Sequence, residues 1–181
     1  MQIFIRELKE TDAPYMLEWM HDQDIQKCFQ KNMMSKSIED VCKFCISSKI
    51  PVHPKQFDNL HFAITDDSDE YLGTISLKNI DFINSSAEYA ISLRKKAQGK
   101  GIAYKATEMI LQKAFYEYDL HRVYLNVLSD NTNAIKLYEK IGFDFEGEFR
   151  DHLLVNGEYK NLKWYGLLEN DFKCKILNTV G

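Results

Sequence analysis

The 181-residue sequence has few of the residues that impose special chemistry or architecture: four cysteines, three prolines, eight glycines and two tryptophans. Of the cysteines, only Cys42 and Cys45 form a C-x-x-C pair, and no second pair or paired histidines complete a zinc set. The pair falls within Ser37 to Ser48, where Ile38, Val41, Cys42, Cys45 and Ile46 share one helical face, so core packing is expected and no metal. No apolar run approaches the roughly 20 residues that span a bilayer. The opening Met1-Gln2-Ile3-Phe4-Ile5-Arg6 lacks a basic region followed by a long apolar stretch, so a cytoplasmic protein without a signal peptide is expected. There is also no excess of positive charge, since 23 Lys and Arg face 27 Asp and Glu for a net charge of -4. That balance argues against a nucleic-acid protein, which carries a broader basic face. No repeat, low-complexity tract or linker divides the chain, and one domain over residues 1–181 is expected.

What the chain does have is a confined basic stretch built on glycine. Arg94, Lys95, Lys96, Lys100 and Lys105 lie together with no acid between Glu88 and Glu108. Within them runs Gln98-Gly99-Lys100-Gly101-Ile102-Ala103. Before this loop, Ala87 to Leu93 is apolar and β-prone, and reads as a strand. After it, Ala106, Met109, Ile110, Lys113, Ala114 and Glu117 fall at helical spacing. A glycine loop that ends a strand and opens a helix lets the backbone approach a ligand closely. The first helical N–H groups lack partners within the helix, and with the helix dipole they favour an anion, typically a phosphate.

The remaining segments alternate in character. Gln2 to Leu8 reads as a strand, followed by a helix capped at Thr11 or Asp12 with Pro14 in its first turn. Residues 21–36 read as a short helix or a flap, and Ser37 to Ser48 as a helix. Strands follow at Leu60 to Thr65, Tyr71 to Ile80 and Ala87 to Leu93. Beyond the loop and its helix come a strand at His121 to Leu128 and a helix at Asn131 to Lys140 stopped by Gly142. Two more strands, Phe143 to Leu154 and Glu158 to Leu168, are joined by the turn signal Asn156-Gly157. The order gives an α+β fold around a mixed, mostly antiparallel sheet. A P-loop is excluded because Lys100 is followed by Gly101, and a Rossmann unit because the first half lacks strand–helix alternation.

Three motifs together resemble the GCN5-related N-acetyltransferases. Gln98-x-x-Gly101-x-Ala103 is similar to that family's acetyl-coenzyme A loop, Q/R-x-x-G-x-G/A. Asn131 to Phe143 is similar to its N-x-x-A-x-x-L-Y-E-K-x-G-F helix. Glu146-Gly147-x-x-Arg150, with Gly157-Glu158-Tyr159, resembles the ribosomal-protein-alanine acetyltransferase (RimJ/RimL-type) branch. The resemblance implies a single domain of about seven strands and four helices, with the fourth and fifth strands splayed around coenzyme A. It implies that backbone groups of Gln98, Gly99, Lys100, Gly101, Ile102 and Ala103 hold the pyrophosphate. Main-chain groups of Ile91, Ser92 and Leu93 would run beside the pantetheine arm, and a strand N–H there would polarise the thioester carbonyl. Asn126 and Asn131 become candidates for pantetheine contacts, Asn131 with helix capping as the alternative.

For the chemistry, Tyr138 matches the family's tyrosine and is the candidate acid for the leaving thiolate. Glu88 is the candidate base, with His61 and His121 as alternatives that as lone strand histidines are more often structural. Trp19, Phe29, Tyr89 and Trp164 are candidates for the acceptor wall. The expected activity is transfer of an acetyl group from acetyl-coenzyme A to a primary amine by direct attack in a ternary complex. The amine is a protein N-terminus, a polyamine, or an amino sugar or small molecule. The alternative is an acetyl-coenzyme A-binding module without turnover. No membrane partner is expected, and the protein is a monomer or homodimer.

Overall fold

The computed structural model describes residues 2–179, with side chains for 2–175. Its strands are β1 (Phe4–Glu7), β2 (Leu60–Thr65), β3 (Tyr71–Asp81), β4 (Ser86–Leu93), β5 (Arg122–Leu128), β6 (Asp144–Val155) and β7 (Glu158–Leu168). Its α-helices are α1 (Ala13–Met20), α2 (Gln23–Gln26), α3 (Ile38–Ser47), α4 (Ile102–Gln112), α5 (Thr132–Ile141) and α6 (Glu169–Thr179). The strands form one sheet in the order β1-β2-β3-β4-β5-β7-β6. Every neighbouring pair is antiparallel except β4 and β5, which are parallel. The expected α+β fold of seven strands is present, with two helices more than expected.

Local signals set most boundaries. Ser37 accepts from the Asp40 N–H at 3.2 Å while the Asp40 carboxylate accepts from the Ser37 N–H at 3.1 Å, a capping box that starts α3. Gly142, at φ 108°, ends α5 in the left-handed region. Asn156 and Gly157, at φ 51° and 84°, make the tight β6–β7 turn. Residues 21–36 resolve into the single turn α2 and an irregular flap. Helix α6 was not expected, since Glu169–Thr179 is strongly polar; Phe172 anchors it, packing on Phe115 at 5.2 Å.

Period-two alternation divides the sheet into two faces. Phe62, Ile75, Tyr89 and Leu125 enter a large core with α4, α5 and α6. Ala63 and Tyr71 point the other way and pack with Met16, Trp19, Val41 and Cys45 of α1 and α3. Cys45 is therefore a core residue, its thiol pushed up to about 11 by burial, and among the described residues there is no metal-holding group. No helix among them is long and apolar enough to cross a membrane.

Two features hold the region that matters for function. Strands β4 and β5 pair only at Ser86–Arg122, Ala87–Val123 and Glu88–Tyr124. Beyond Glu88 they part: β4 continues with β3 to Leu93, and β5 with β7 to Leu128. The end of β4 is fixed by Arg94, which is buried and donates to Glu18, Glu70 and the Tyr71 carbonyl. It also lies over the Tyr15 ring, so one guanidinium joins α1, β3 and β4.

Gly73 is the tightest point of this arrangement, because an added Cβ would stand 2.3 Å from the Ser92 carbonyl oxygen. Gly73→Ala is expected to destabilise the protein by about 2 kcal/mol, since backbone must move to admit the methyl. Urea unfolding would measure this, and an unchanged midpoint would show that β3 and β4 are not in fixed contact here.

Candidate active site

The glycine loop presents a set of unpartnered donors. Gly99 and Gly101 take φ of 72° and 73°, and an added Cβ at either would meet nothing within 4 Å, so both face open space. Helix α4 begins after Gly101 with no side-chain cap, and its first backbone bond runs from the Lys105 N–H to the Gly101 carbonyl at 3.2 Å. Among the described residues, the N–H groups of Gly99, Lys100, Gly101, Ile102, Ala103 and Tyr104 have no partner. Such a run, at the positive end of a helix dipole, is a nest for phosphate oxygens. Gln98 plays a different part: its side-chain amide donates to the Leu93 carbonyl at 3.2 Å and ties the loop to β4.

The basic cluster is less uniform than its sequence implies. Arg94 is paired with Glu18 and Glu70, Lys95 with Asp24 at 3.0 Å, and Lys96 with Glu70. These three cations hold acidic groups of α1, α2 and the β2–β3 turn. Lys100 and Lys105 make no ion pair among the described residues, and they are the side chains left to meet a polyanion. The free donors here are thus mainly backbone N–H groups.

The parting strands supply the next part. Ile91, Ser92 and Leu93 lie on β4 beyond its last pairing with β5, so one edge of this backbone is available to an extended ligand. Asn126 stands on β5 past the same point, and its carbonyl oxygen accepts from the Gln30 amide of the flap. Asn131 caps α5 by accepting from the Ala134 N–H at 3.3 Å, which is the capping role weighed for it.

Tyr138 projects from α5 into the core beside the parted strands. Its ring meets Tyr89 edge-on at 5.9 Å and Phe143 at 6.0 Å, and its hydroxyl makes no hydrogen bond among the described residues. Burial, with a smaller contribution from the nearby Cys28 thiol, raises its pKa further above the usual phenol value. Its hydroxyl is held in the protonated form. Glu88 sits at the closed end of the splay, accepting from Lys78 Nζ at 2.6 Å and from the Asn79 amide at 3.0 Å.

A cavity of about 250 Å³ opens against the same stretch of β4, between the sheet and the α1, flap and α3 layer. Trp19 and Phe29 both line it, stacked at 5.3 Å. Tyr89 does not, because it points to the opposite face, fully in the α4 core, with its hydroxyl 2.7 Å from that of Thr107. Trp164 also lies away from it, stacked on Tyr124 at 6.0 Å with its indole N–H buried and unpartnered among the described residues. The sheet floor of this cavity is formed by His61, Thr74, Ser76 and Ser92; His61 was weighed as a base and Ser92 for the pantetheine arm, while Thr74 and Ser76 were missed. The signal was present, since these positions alternate with the core residues Phe62, Ile75 and Ile91. His121 is exposed near the opposite end of β5.

His61 shares a hydrogen bond with the Ser76 hydroxyl at 2.8 Å, and burial together with nearby Lys78 brings its pKa down from 6.5 to about 4. The imidazole is neutral at neutral pH.

This geometry agrees with what similarity shows. The family profile described as an acetyltransferase (GNAT) domain matches residues 2–144. The chain belongs to the GNAT acetyltransferase family. Its enzymes use acetyl-coenzyme A as cosubstrate, which the phosphate nest and splayed strands fit. The chain is similar to a spermidine N(1)-acetyltransferase of Vibrio cholerae, 32% identical over 61% of this chain and 64% of that protein. It therefore spans just under two thirds of that relative's length. It is also similar to a putative ribosomal N-acetyltransferase of Bacillus subtilis, 38% identical over 56% of this chain and 55% of that one. A crystal structure of a Vibrio cholerae spermidine N-acetyltransferase with coenzyme A and spermine superimposes with a TM-score of 0.84 at 25% identity, covering 95% of this chain and 98% of that one. Relatives thus come from both polyamine and ribosomal acetyltransferases, and the similarity supports the family rather than its ribosomal-protein branch.

Two outcomes are expected from this geometry. Gly101→Val places a β-branched residue in the left-handed region over the nest, and should weaken acetyl-coenzyme A binding at least tenfold by calorimetry. Unaltered affinity would remove the loop from the site. The second concerns acid. The folded pKa of His61 lies below the unfolded one, so between pH 6.5 and about 4 the unfolded chain binds the extra proton. Stability therefore falls as pH falls through that window, by about 3 kcal/mol from this group. His61→Gln should lose correspondingly less stability than the parent between pH 7 and 4 in urea unfolding, and equal losses would count against a buried neutral imidazole.

Proposed function

We propose that the protein transfers an acetyl group from acetyl-coenzyme A directly to a primary amine, both bound together, with Tyr138 as acid and Glu88 as base. The observation that carries this reading is the joining of three parts at one place. The unpartnered N–H groups of Gly99 to Tyr104 meet the unpaired edge of β4, and the cavity opens on that same edge at Ile91 and Ser92. A long phosphate-bearing thioester and a small acceptor would thereby meet at one strand.

In this reading the loop anchors the pyrophosphate, and main-chain groups of Ile91 to Leu93 align the pantetheine arm. A strand N–H stabilises the oxyanion as the amine nitrogen bonds to the thioester carbon. The carbon–sulfur bond then breaks, and the Tyr138 phenol protonates the departing thiolate. Glu88, which accepts from Lys78 and Asn79, takes the proton lost by the amine through water and returns one to Tyr138. Asn126 and the capping Asn131 flank the pantetheine channel, and Trp19 and Phe29 wall the acceptor. A binding module without turnover would have no use for a buried phenol whose hydroxyl is left unbonded beside the splay.

Tyr138→Phe tests the assignment. The ring contacts with Tyr89 and Phe143 survive, so acetyl-coenzyme A affinity should change less than threefold while kcat falls by roughly 100-fold. An unchanged kcat across pH would assign thiolate protonation to another group.

A further inference from the structure

The lining of the acceptor cavity speaks to which amine enters it. Its walls are Trp19, Met20, Phe29, Met33, Val41 and Phe44, all apolar. The charged groups on it are Asp40 and Lys36, of opposite sign. The Asp40 carboxylate is already engaged by the Ser37 N–H in the α3 capping box, the main cause of its lowered pKa. His61, the remaining titratable group, is neutral at neutral pH and bonded to Ser76. The charges on the cavity thus balance, and its one carboxylate carries a backbone N–H on one oxygen.

Several acidic groups outside it are paired or turned inward. Asp69 pairs with Arg6 and Lys9, Glu70 with Arg94 and Lys96, and Asp24 with Lys27 and Lys95. Asp66 is turned inward on its own loop, accepting from Ser68 and Glu70. A polyamine needs a carboxylate for each of several ammonium groups, because an unpaired buried charge costs several kcal/mol. Such a set is absent from the lining of this cavity, which holds one carboxylate, Asp40.

We infer that the acceptor is a small primary amine carried on an uncharged, apolar body of about the size of an aromatic ring, with the body among Trp19, Phe29, Met33 and Phe44 and the amine over the floor of His61, Ser76 and Ser92. The volume of about 250 Å³ suits a small molecule of this kind. The stacked pair Trp19 and Phe29, with Phe44 against the His61 ring at 4.9 Å, offers aromatic surface to a ring. The apolar wall also favours the uncharged amine over its ammonium, and the uncharged amine is the form that attacks. The floor hydroxyls and imidazole accept its N–H hydrogens. This inference rests on the acetyltransferase reading and departs from the polyamine that names several relatives.

The test is thiol release from acetyl-coenzyme A with 2-phenylethylamine, spermidine and an alanine-initiated peptide, alongside tryptophan-fluorescence titration with each amine. Phenylethylamine should give kcat/KM at least tenfold above the other two and quench fluorescence on binding. Met33→Glu should lower that kcat/KM at least tenfold and raise the relative rate on spermidine, with acetyl-coenzyme A affinity retained. Phe44→Ala, which adds no charge, should raise KM for phenylethylamine several-fold and leave spermidine unaltered. Preference for spermidine or the peptide would overturn the inference while leaving the transferase reading intact. Acetyl-coenzyme A binding without turnover of any amine, and with no phenylethylamine quench, would overturn both.

Discussion

Between Glu88 and Leu93, β4 keeps its hydrogen bonds to β3 but has no strand on its other side, because β5 has turned away to follow β7. Three residue pairs join β4 to β5, whereas β5 and β7 are paired along seven. A parallel contact of this length, set between two longer antiparallel ones, yields to the twist of each half of the sheet. The consequence is a wedge of unsatisfied backbone edge, which a folded protein ordinarily avoids. Here it lies between the anion nest at the start of α4 and the cavity under α1 and α3. The arrangement makes sense when the edge is completed by an extended ligand.

The neighbouring electrostatics keep this wedge open and correctly ended. Arg94 gathers Glu18, Glu70 and the Tyr71 carbonyl at the last residue of β4, and Lys95 and Lys96 extend the same net toward α2 and the β2–β3 turn. These partly buried pairs position the loop by geometry more than by long-range attraction. What they leave to a ligand is backbone N–H groups with Lys100 and Lys105, a site whose strength lies in preorganised dipoles. The same pairing neutralises Glu18, Glu70 and Asp24 nearby, and the charged groups on the cavity itself, Asp40 and Lys36, are of opposite sign.

Much of this was legible in the residues. The glycine loop, the helix with Tyr138 in register, the Asn131 cap and the Asn156-Gly157 turn are local patterns, and each encodes its geometry through a few neighbouring dihedrals. β2, β3 and β4 were legible as strands at nearly their observed bounds. Less visible was what their faces meet. Tyr89 looked suited to the acceptor wall, yet its place in the alternation sends it to Thr107 in the α4 core. Helix α6 was hidden because a single packed aromatic, Phe172, replaces the usual apolar stripe.

The chain by itself therefore determined the order of elements, the glycine loop at the start of α4 and the phenol on α5, because these depend on contacts within a few residues. Only the tertiary structure decided where the cations go and what the acceptor cavity contains. Arg94 lies 76 positions from Glu18, and the cavity draws on α1, the flap, α3 and three strands. Charge in a sequence is a sum, whereas charge at a site depends on which partners folding brings within hydrogen-bonding distance. That pairing left Lys100 and Lys105 outside any ion pair among the described residues and left the charges on the cavity balanced.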